Sequence, residues 1–196
     1  MERICVFCGS SPGARPEYAK AAKALGHALA EKKIELVYGG GNVGLMGYIA
    51  RAVLEKDGKV IGVIPKALAE KEVAFTELDD LRIVGSMHER KALMAELSDG
   101  FIALPGGLGT IEEFVEVLTW AQLGIHQKPC GLLNICHFFN TFSNFLDHVT
   151  DQQFMQKGHR DMVLVDDHPQ SLLKKFESYC PPSIDKAAWA LRMRNS

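Results

Sequence analysis

The chain has 196 residues, 47% of them hydrophobic and 23% charged, which suits one globular domain with a sizeable core. A net charge of −2 supplies no general attraction for nucleic acid or an anionic membrane, so a small molecule is the expected partner. No apolar run reaches the ~18 residues of a membrane span, and M-E-R-I-C-V-F-C lacks a signal-peptide layout, so the expected compartment is the cytoplasm.

In chain order, a compact apolar strand is expected over residues 3–8, followed by the loop G-S-S-P-G at 9–13. A helix over 17–32 has Pro16 in its first turn and Ala21, Ala24, Leu25, Ala28 and Leu29 on one face. A second strand over 35–38 runs into G-G-G-N-V-G-L-M-G at 39–47, and a helix over 45–57 stops at Gly58. The third strand spans 59–64 and ends at Pro65. Residues 66–80 lack periodicity and read as a long excursion holding a helical turn. A strand over 81–84, a helix over 87–97 and a strand over 100–104 precede P-G-G-L-G-T-I-E-E at 105–113 and a helix over 110–123. Beyond it come a strand over 128–134, a helix over 139–151 and a short strand over 162–165. A helix through Tyr179 follows, with Asp167 as cap and Pro169 in its first turn, and the tail has helical composition over 187–193.

Strands and helices alternate, and the strands are apolar on both faces. This predicts an α/β fold: a single-domain, doubly wound parallel sheet of Rossmann type with helices on both faces, over residues 1–196. Five cysteines without framework spacing suit a reducing compartment. Cys5 and Cys8 form C-x-x-C, but residues three apart in a strand point to opposite faces, so they read as core residues. Seven histidines include no H-x-x-x-H, and no metal site is indicated.

Both glycine stretches leave the carboxyl end of a strand and open a helix, where backbone N–H groups cradle phosphate. Gly39, Gly40, Gly41 and Gly44 of the first and Gly106 of the second are read as support for such a loop. Neither stretch fits G-x-G-x-x-G cleanly, and neither contains G-K-[ST]. Helical geometry separates the three acids that follow. Glu113 lies at the edge of the stripe formed by Phe114, Val117, Leu118 and Ala121, so of the three it is the acid expected to face a pocket, the alternative being that all three are solvated first-turn acids favoured by the helix dipole. Glu112 and Glu116 form an i, i+4 like-charge pair that calls for solvation. In M-H-E-R-K at 87–91, Arg90 shares a face with Met94 and Leu97, which places a guanidinium in a buried stripe where it needs an anion. Lys91, one step round, reads as a second charge or a surface lysine, and His88 as an ordinary first-turn residue.

Together, G-G-G-N-V-G-L-M-G, M-H-E-R-K and P-G-G-L-G-T-I-E-E resemble the LOG family, the cytokinin riboside 5′-monophosphate phosphoribohydrolases often mislabelled lysine decarboxylases. V-F-C-G-S-S at 6–11, V-I-P-K at 63–66 and T-W-A-Q-L-G-I-H at 119–126 extend the likeness, while residues 135–161 match less well. The family often carries tyrosine where this chain has Leu108. The resemblance implies hydrolysis of the N-glycosidic bond of an adenosine-type nucleoside 5′-monophosphate to free base and ribose 5-phosphate, without a cofactor, by a homodimer with pockets near the subunit interface. It implies that Arg90 and Glu113 are catalytic. It also implies that Glu72, Lys91, Gly107, Leu108, Gly109, Thr110, Ile111, Glu112 and Thr119 contact substrate. Glu113 would stabilise positive charge on the ribose or orient water, with Arg90 keeping it ionised. The rival readings are a non-catalytic nucleotide-binding or carrier protein on the same fold, and a pyridoxal-dependent decarboxylase, for which no Schiff-base lysine site is recognisable.

Overall fold

A computed structural model describes residues 1–69 and 74–182. Glu72 and the expected tail helix lie outside the described residues. Among the described residues, seven parallel strands form one sheet in the order β4-β3-β2-β1-β5-β6-β7. They are β1 (Arg3–Phe7), β2 (Glu35–Tyr38), β3 (Val60–Pro65), β4 (Asp80–Val84), β5 (Gly100–Ala103), β6 (Cys130–Leu133) and β7 (Val163–Asp166). The described residues also form eight α-helices between and after the strands: α1 (Pro16–Glu31), α2 (Gly44–Leu54), α3 (Lys66–Ala69), α4 (Met87–Leu97), α5 (Leu108–Gln122), α6 (Asn140–Asp151), α7 (Lys157–Arg160) and α8 (Pro169–Glu177). The doubly wound expectation is met.

Side-chain alternation along each central strand feeds two separate cores. Ile4, Val6, Leu36, Tyr38 and Ile102 point to the face covered by α1, α2 and α8, where Leu25, Leu29, Ile49 and Leu172 are buried. Cys5, Phe7, Val37, Val63, Phe101 and Ala103 point to the other face and meet Met94 of α4, Phe114 and Val117 of α5, and Leu146 of α6. Cys5 and Cys8 fall in different cores, as the strand period requires. Burial pushes both thiols well up, which keeps them protonated. At the β4 edge, Asp80 and Arg82 form an ion pair, Nε to Oδ1 at 2.9 Å, the kind of charge that discourages edge-to-edge pairing.

Three details differ from the sequence expectation. The cap of α8 is His168, and the neighbouring acid that organises the turn is Asp166, not Asp167. Asp166 accepts from the His168 N–H at 3.0 Å, the Ser171 hydroxyl at 2.6 Å and Lys175 Nζ at 2.8 Å. Burial works to raise its carboxyl, but these donors outweigh it and hold the group at about 2. A 3₁₀ turn at Ile135–His137 and the short α7 were not anticipated.

The chain runs outward from β1 through β2, β3 and β4, then returns to place β5 beside β1. Strand order therefore reverses between β1 and β5, and the crevice beyond their carboxyl ends is where such sheets bind ligands. The loops leaving these two strands are tied together by a hydrogen bond from Gly9 N–H to the Pro105 carbonyl at 3.1 Å.

Candidate active site

Helix α4 brings Arg90 to this crevice. Its start is set by Ser86, whose hydroxyl accepts from the Glu89 N–H at 3.1 Å, while the Glu89 carboxylate accepts from the Gly85 N–H at 2.7 Å. This is a variant of the capping box, present in the sequence as S-x-x-E, in which the glutamate takes the N–H of the residue before the cap. One turn in, Arg90 and Met94 are the buried residues of the helix. The Arg90 side chain spans from α4 to the end of β2, where Nη2 donates to the Gly39 carbonyl at 3.4 Å and Nη1 to Met87 Sδ at 3.6 Å. Among the described residues, no protein group accepts from its buried Nε.

Helix α5 supplies the opposing charge. Glu113 Oε1 lies 3.8 Å from Arg90 Nη2, with the two side chains 14% and 9% exposed. That spacing is an ion pair without the close fork of a bidentate contact. Both charges are felt below them in the sheet: Glu113 adds to the upward push of burial on Cys5 and Cys8, and Arg90 opposes it. Phe114, fully buried one position on, fixes the helix by an edge-on contact with Phe142.

Lys91 turns the other way from Arg90. Its Nζ donates to Glu112 at 2.6 Å and to Glu116 at 3.0 Å, so a lysine rather than solvent neutralises the i, i+4 acid pair. The hydrogen bond to Glu112 leads the causes that raise the Lys91 ammonium above its ordinary 10.5. Thr119 is exposed and donates to the Val115 carbonyl at 2.7 Å. Nine residues separate it from Thr110, about 13.5 Å along the helix at 1.5 Å per residue. His88 is exposed.

The two glycine stretches are built differently. In the second, Gly107 caps α5 without any side-chain cap, and a Cβ added at Gly107 or Gly109 would meet nothing within 4 Å. Leu108 between them is 89% exposed. The first-turn N–H groups therefore face open space, which suits an anion. Gly106 and Thr110 lie beneath and form the packed floor: Thr110 is buried, and a Cβ at Gly106 would overlap its side chain. Ile111 is half-buried, its N–H bonded to the Gly107 carbonyl at 3.2 Å.

The first stretch is engaged with protein throughout. The Gly40 carbonyl accepts from Phe75 N–H at 2.9 Å, Gly41 bridges Ala74, and the Leu45 N–H of α2 donates to the Gly9 carbonyl at 3.0 Å. Gly40 and Gly44 have φ of 76° and 56°, which other residues rarely adopt. The β1 loop also lines the crevice, a role the sequence reading did not assign to it. Gly9, Ser10 and Ser11, with Tyr18, Phe138 and Gly107, border a cleft of about 260 Å³. Its signal was V-F-C-G-S-S, a glycine and two small hydroxyl residues ending the first strand. Among the described residues, no group of three or more His, Cys, Asp or Glu is placed to hold a metal ion, and no helix is long and apolar enough to cross a membrane.

These features define a class: a doubly wound α/β protein with an unobstructed helix N-terminus, and a buried arginine paired with a half-buried glutamate, at the point where strand order reverses. A family model described as "Possible lysine decarboxylase" matches residues 46–176. The probable cytokinin riboside 5′-monophosphate phosphoribohydrolase LOGL6 of Oryza sativa subsp. japonica is 49% identical over 194 residues, covering 97% of this chain and 78% of the relative. The cytokinin riboside 5′-monophosphate phosphoribohydrolase LOG7 of Arabidopsis thaliana is 48% identical over 181 residues, covering 92% and 83%. The chain belongs to the LOG family of phosphoribohydrolases. Among solved structures, the molybdenum cofactor binding protein from Rippkaea orientalis is similar with a TM-score of 0.67 at 24% identity, over 91% of this chain and 97% of that one. The Moco carrier protein from Chlamydomonas reinhardtii gives 0.68 at 20% identity, over 90% and 98%. At those identities the likeness is one of fold.

Proposed function

We propose that the chain hydrolyses the N-glycosidic bond of an adenosine-type nucleoside 5′-monophosphate, releasing free base and ribose 5-phosphate. Its relatives carry phosphoribohydrolase activity on cytokinin riboside 5′-monophosphates in their names. The observation that carries the reading is the Arg90–Glu113 pair, largely buried and 3.8 Å apart, beside the open-faced start of α5.

The 5′-phosphate sits against the N–H groups of the Gly107–Gly109 turn, where no Cβ stands in its way and the helix dipole favours its charge. Cleavage of the bond between C1′ and the base nitrogen builds positive charge on the ribose. The Glu113 carboxylate stabilises that charge and orients the water that adds to C1′. The bonding electrons leave with the base, which takes up a proton. Arg90 stabilises the carboxylate form of Glu113, and its buried Nε offers a donor that a substrate oxygen would satisfy. A pure carrier has no need of this pair.

Lys91 and Glu112 are already bonded to one another, so as substrate contacts they would exchange protein partners for sugar hydroxyls. Thr119 lies too far along α5 to reach a phosphate at the start of its own helix. In a homodimer it would instead border the pocket of the partner subunit. Gel filtration with light scattering tests that assembly. Incubation with AMP and with isopentenyl-AMP, scored for free base and ribose 5-phosphate, tests the reaction. Tight binding of either nucleotide without release of base would refute it in favour of a carrier.

A further inference from the structure

Among the described residues, each glycine of the first stretch is packed against protein, and Gly39 lies within reach of the Arg90–Glu113 pair. Gly39 is the point of contact. It does not share the positive φ of Gly40 and Gly44, so its backbone would admit alanine, and what it supplies is space. A Cβ added there would overlap Arg90 Nη2 and lie 3.1 Å from Arg90 Cζ. Of its other neighbours, Met46 Sδ at 3.4 Å is in ordinary contact. The same Nη2 donates to the Gly39 carbonyl at 3.4 Å and faces Glu113, while Nη1 rests on Met87 Sδ. A Cβ at Gly41 would instead press on the flexible end of Met46, and one at Gly44 on the backbone of Ser10.

We infer that Gly39 is a positioning residue whose missing side chain forms the seat of the Arg90 guanidinium, and that it sets where Arg90 stands against Glu113. The glycine reaches the reaction through Arg90 and makes no contact with substrate. Its effect on rate rests on the proposed hydrolysis; its contact with Arg90 does not.

The test is a double-mutant cycle of Gly39→Ala and Arg90→Ala, read by thermal unfolding and by AMP hydrolysis. In the otherwise unchanged protein, Gly39→Ala displaces the guanidinium. Tm is expected to fall by roughly 5 °C from overpacking, and kcat by about 100-fold, as a misplacement on the order of 1 Å costs. KM should rise by less than kcat falls, since the phosphate is held at the start of α5 and only the contact to Arg90 Nε is disturbed. In the Arg90→Ala background the obstacle is gone. There, Gly39→Ala should raise Tm by about 2 °C, because alanine restricts the unfolded chain more than glycine does. A Gly39→Ala protein that fails to fold, alongside a folded double variant, supports the seat. Equal losses of Tm in both backgrounds, two variants that both fail to fold, or Gly39→Ala with unchanged kcat would each overturn it. If the unsubstituted protein releases no base, the reading as a hydrolase fails while the sign reversal in Tm still decides the seat.

Discussion

Glu113→Gln preserves the shape of the side chain and removes its charge. At 3.8 Å from Arg90 Nη2, with both side chains mostly buried, the attraction is about 4 kcal/mol at an effective dielectric of about 20. Desolvation offsets much of that in the resting protein. Glutamine also keeps an oxygen that can accept from Arg90, so the stability loss should fall below the roughly 3–5 kcal/mol of a broken buried pair. A loss of about 2 kcal/mol lowers Tm by about 4–8 °C and leaves the protein folded at 25 °C. Catalysis responds differently, because the charge developing on the ribose has no counterpart in the ground state. Losing the group that meets it should cost about 3–4 kcal/mol, or about 10²–10³-fold in kcat. KM should move by no more than about threefold, since the phosphate is held elsewhere. Steady-state kinetics on AMP with chromatographic detection of adenine, beside a thermal melt of the same preparation, separates the two effects. A kcat within about threefold of the unsubstituted protein refutes the role given to Glu113. A raised KM at constant kcat would reduce it to a binding residue.

Gly109→Ala should raise Tm by about 2 °C, since alanine is favoured over glycine inside a helix by about 1 kcal/mol. It should also raise KM about tenfold by placing a methyl group where the phosphate approaches, and an unchanged KM counts against that placement. Lys91→Met leaves Glu112 and Glu116 facing each other and should lower Tm by about 2–4 °C, from a loss of about 1 kcal/mol. The loss should shrink when both glutamates are glutamine, and a loss of equal size there would show that packing, not charge, holds Lys91. Asp166, held at about 2 against an ordinary 3.8, contributes about 2 kcal/mol at neutral pH. Its folded value is depressed, so that stability is present above about pH 4 and is lost as pH falls toward about 2. Asp166→Asn should therefore melt lower at pH 7 and converge with the unsubstituted protein near pH 2, and a gap that persists there would remove the charge from the explanation.

Much of the site was legible because its residues sit on regular helices. The i, i+4 relation of Arg90 to Met94 gives the buried face of α4, and the stripe through Phe114 and Val117 places Glu113 at its edge. Both follow from 3.6 residues per turn. What resisted was contact between elements distant in sequence. Nothing local to Gly39 announces Arg90, 51 positions on, because sheet order brings the end of β2 beneath α4. Lys91 bridges two acids on a different helix, and the acid pair read in isolation called for solvent. At α8, adjacent aspartates are equally good candidates by composition, and the one-residue choice of Asp166 depends on where β7 ends. The 3₁₀ turn after β6 gives no glycine signal, since Cys136 and His137 take φ of 51° and 61° themselves.

The glycine stretches show why a motif of this kind needs its surroundings before it has a function. Both follow a strand and open a helix, and by spacing they are equivalent. They part on what a Cβ would meet. At Gly107 and Gly109 it meets nothing within 4 Å, so the glycines keep clear a surface of N–H donors. At Gly39 and Gly44 it meets Arg90 and the Ser10 backbone, so there the glycines let other parts of the protein come close. The first arrangement leaves room for the proposed phosphate, and the second lets Arg90 stand opposite Glu113. Both stand at the same edge of the sheet. β2 lies on the far side of β1 from β5 and ends in Gly39, and the arginine of α4 lies across that glycine to face Glu113 of α5.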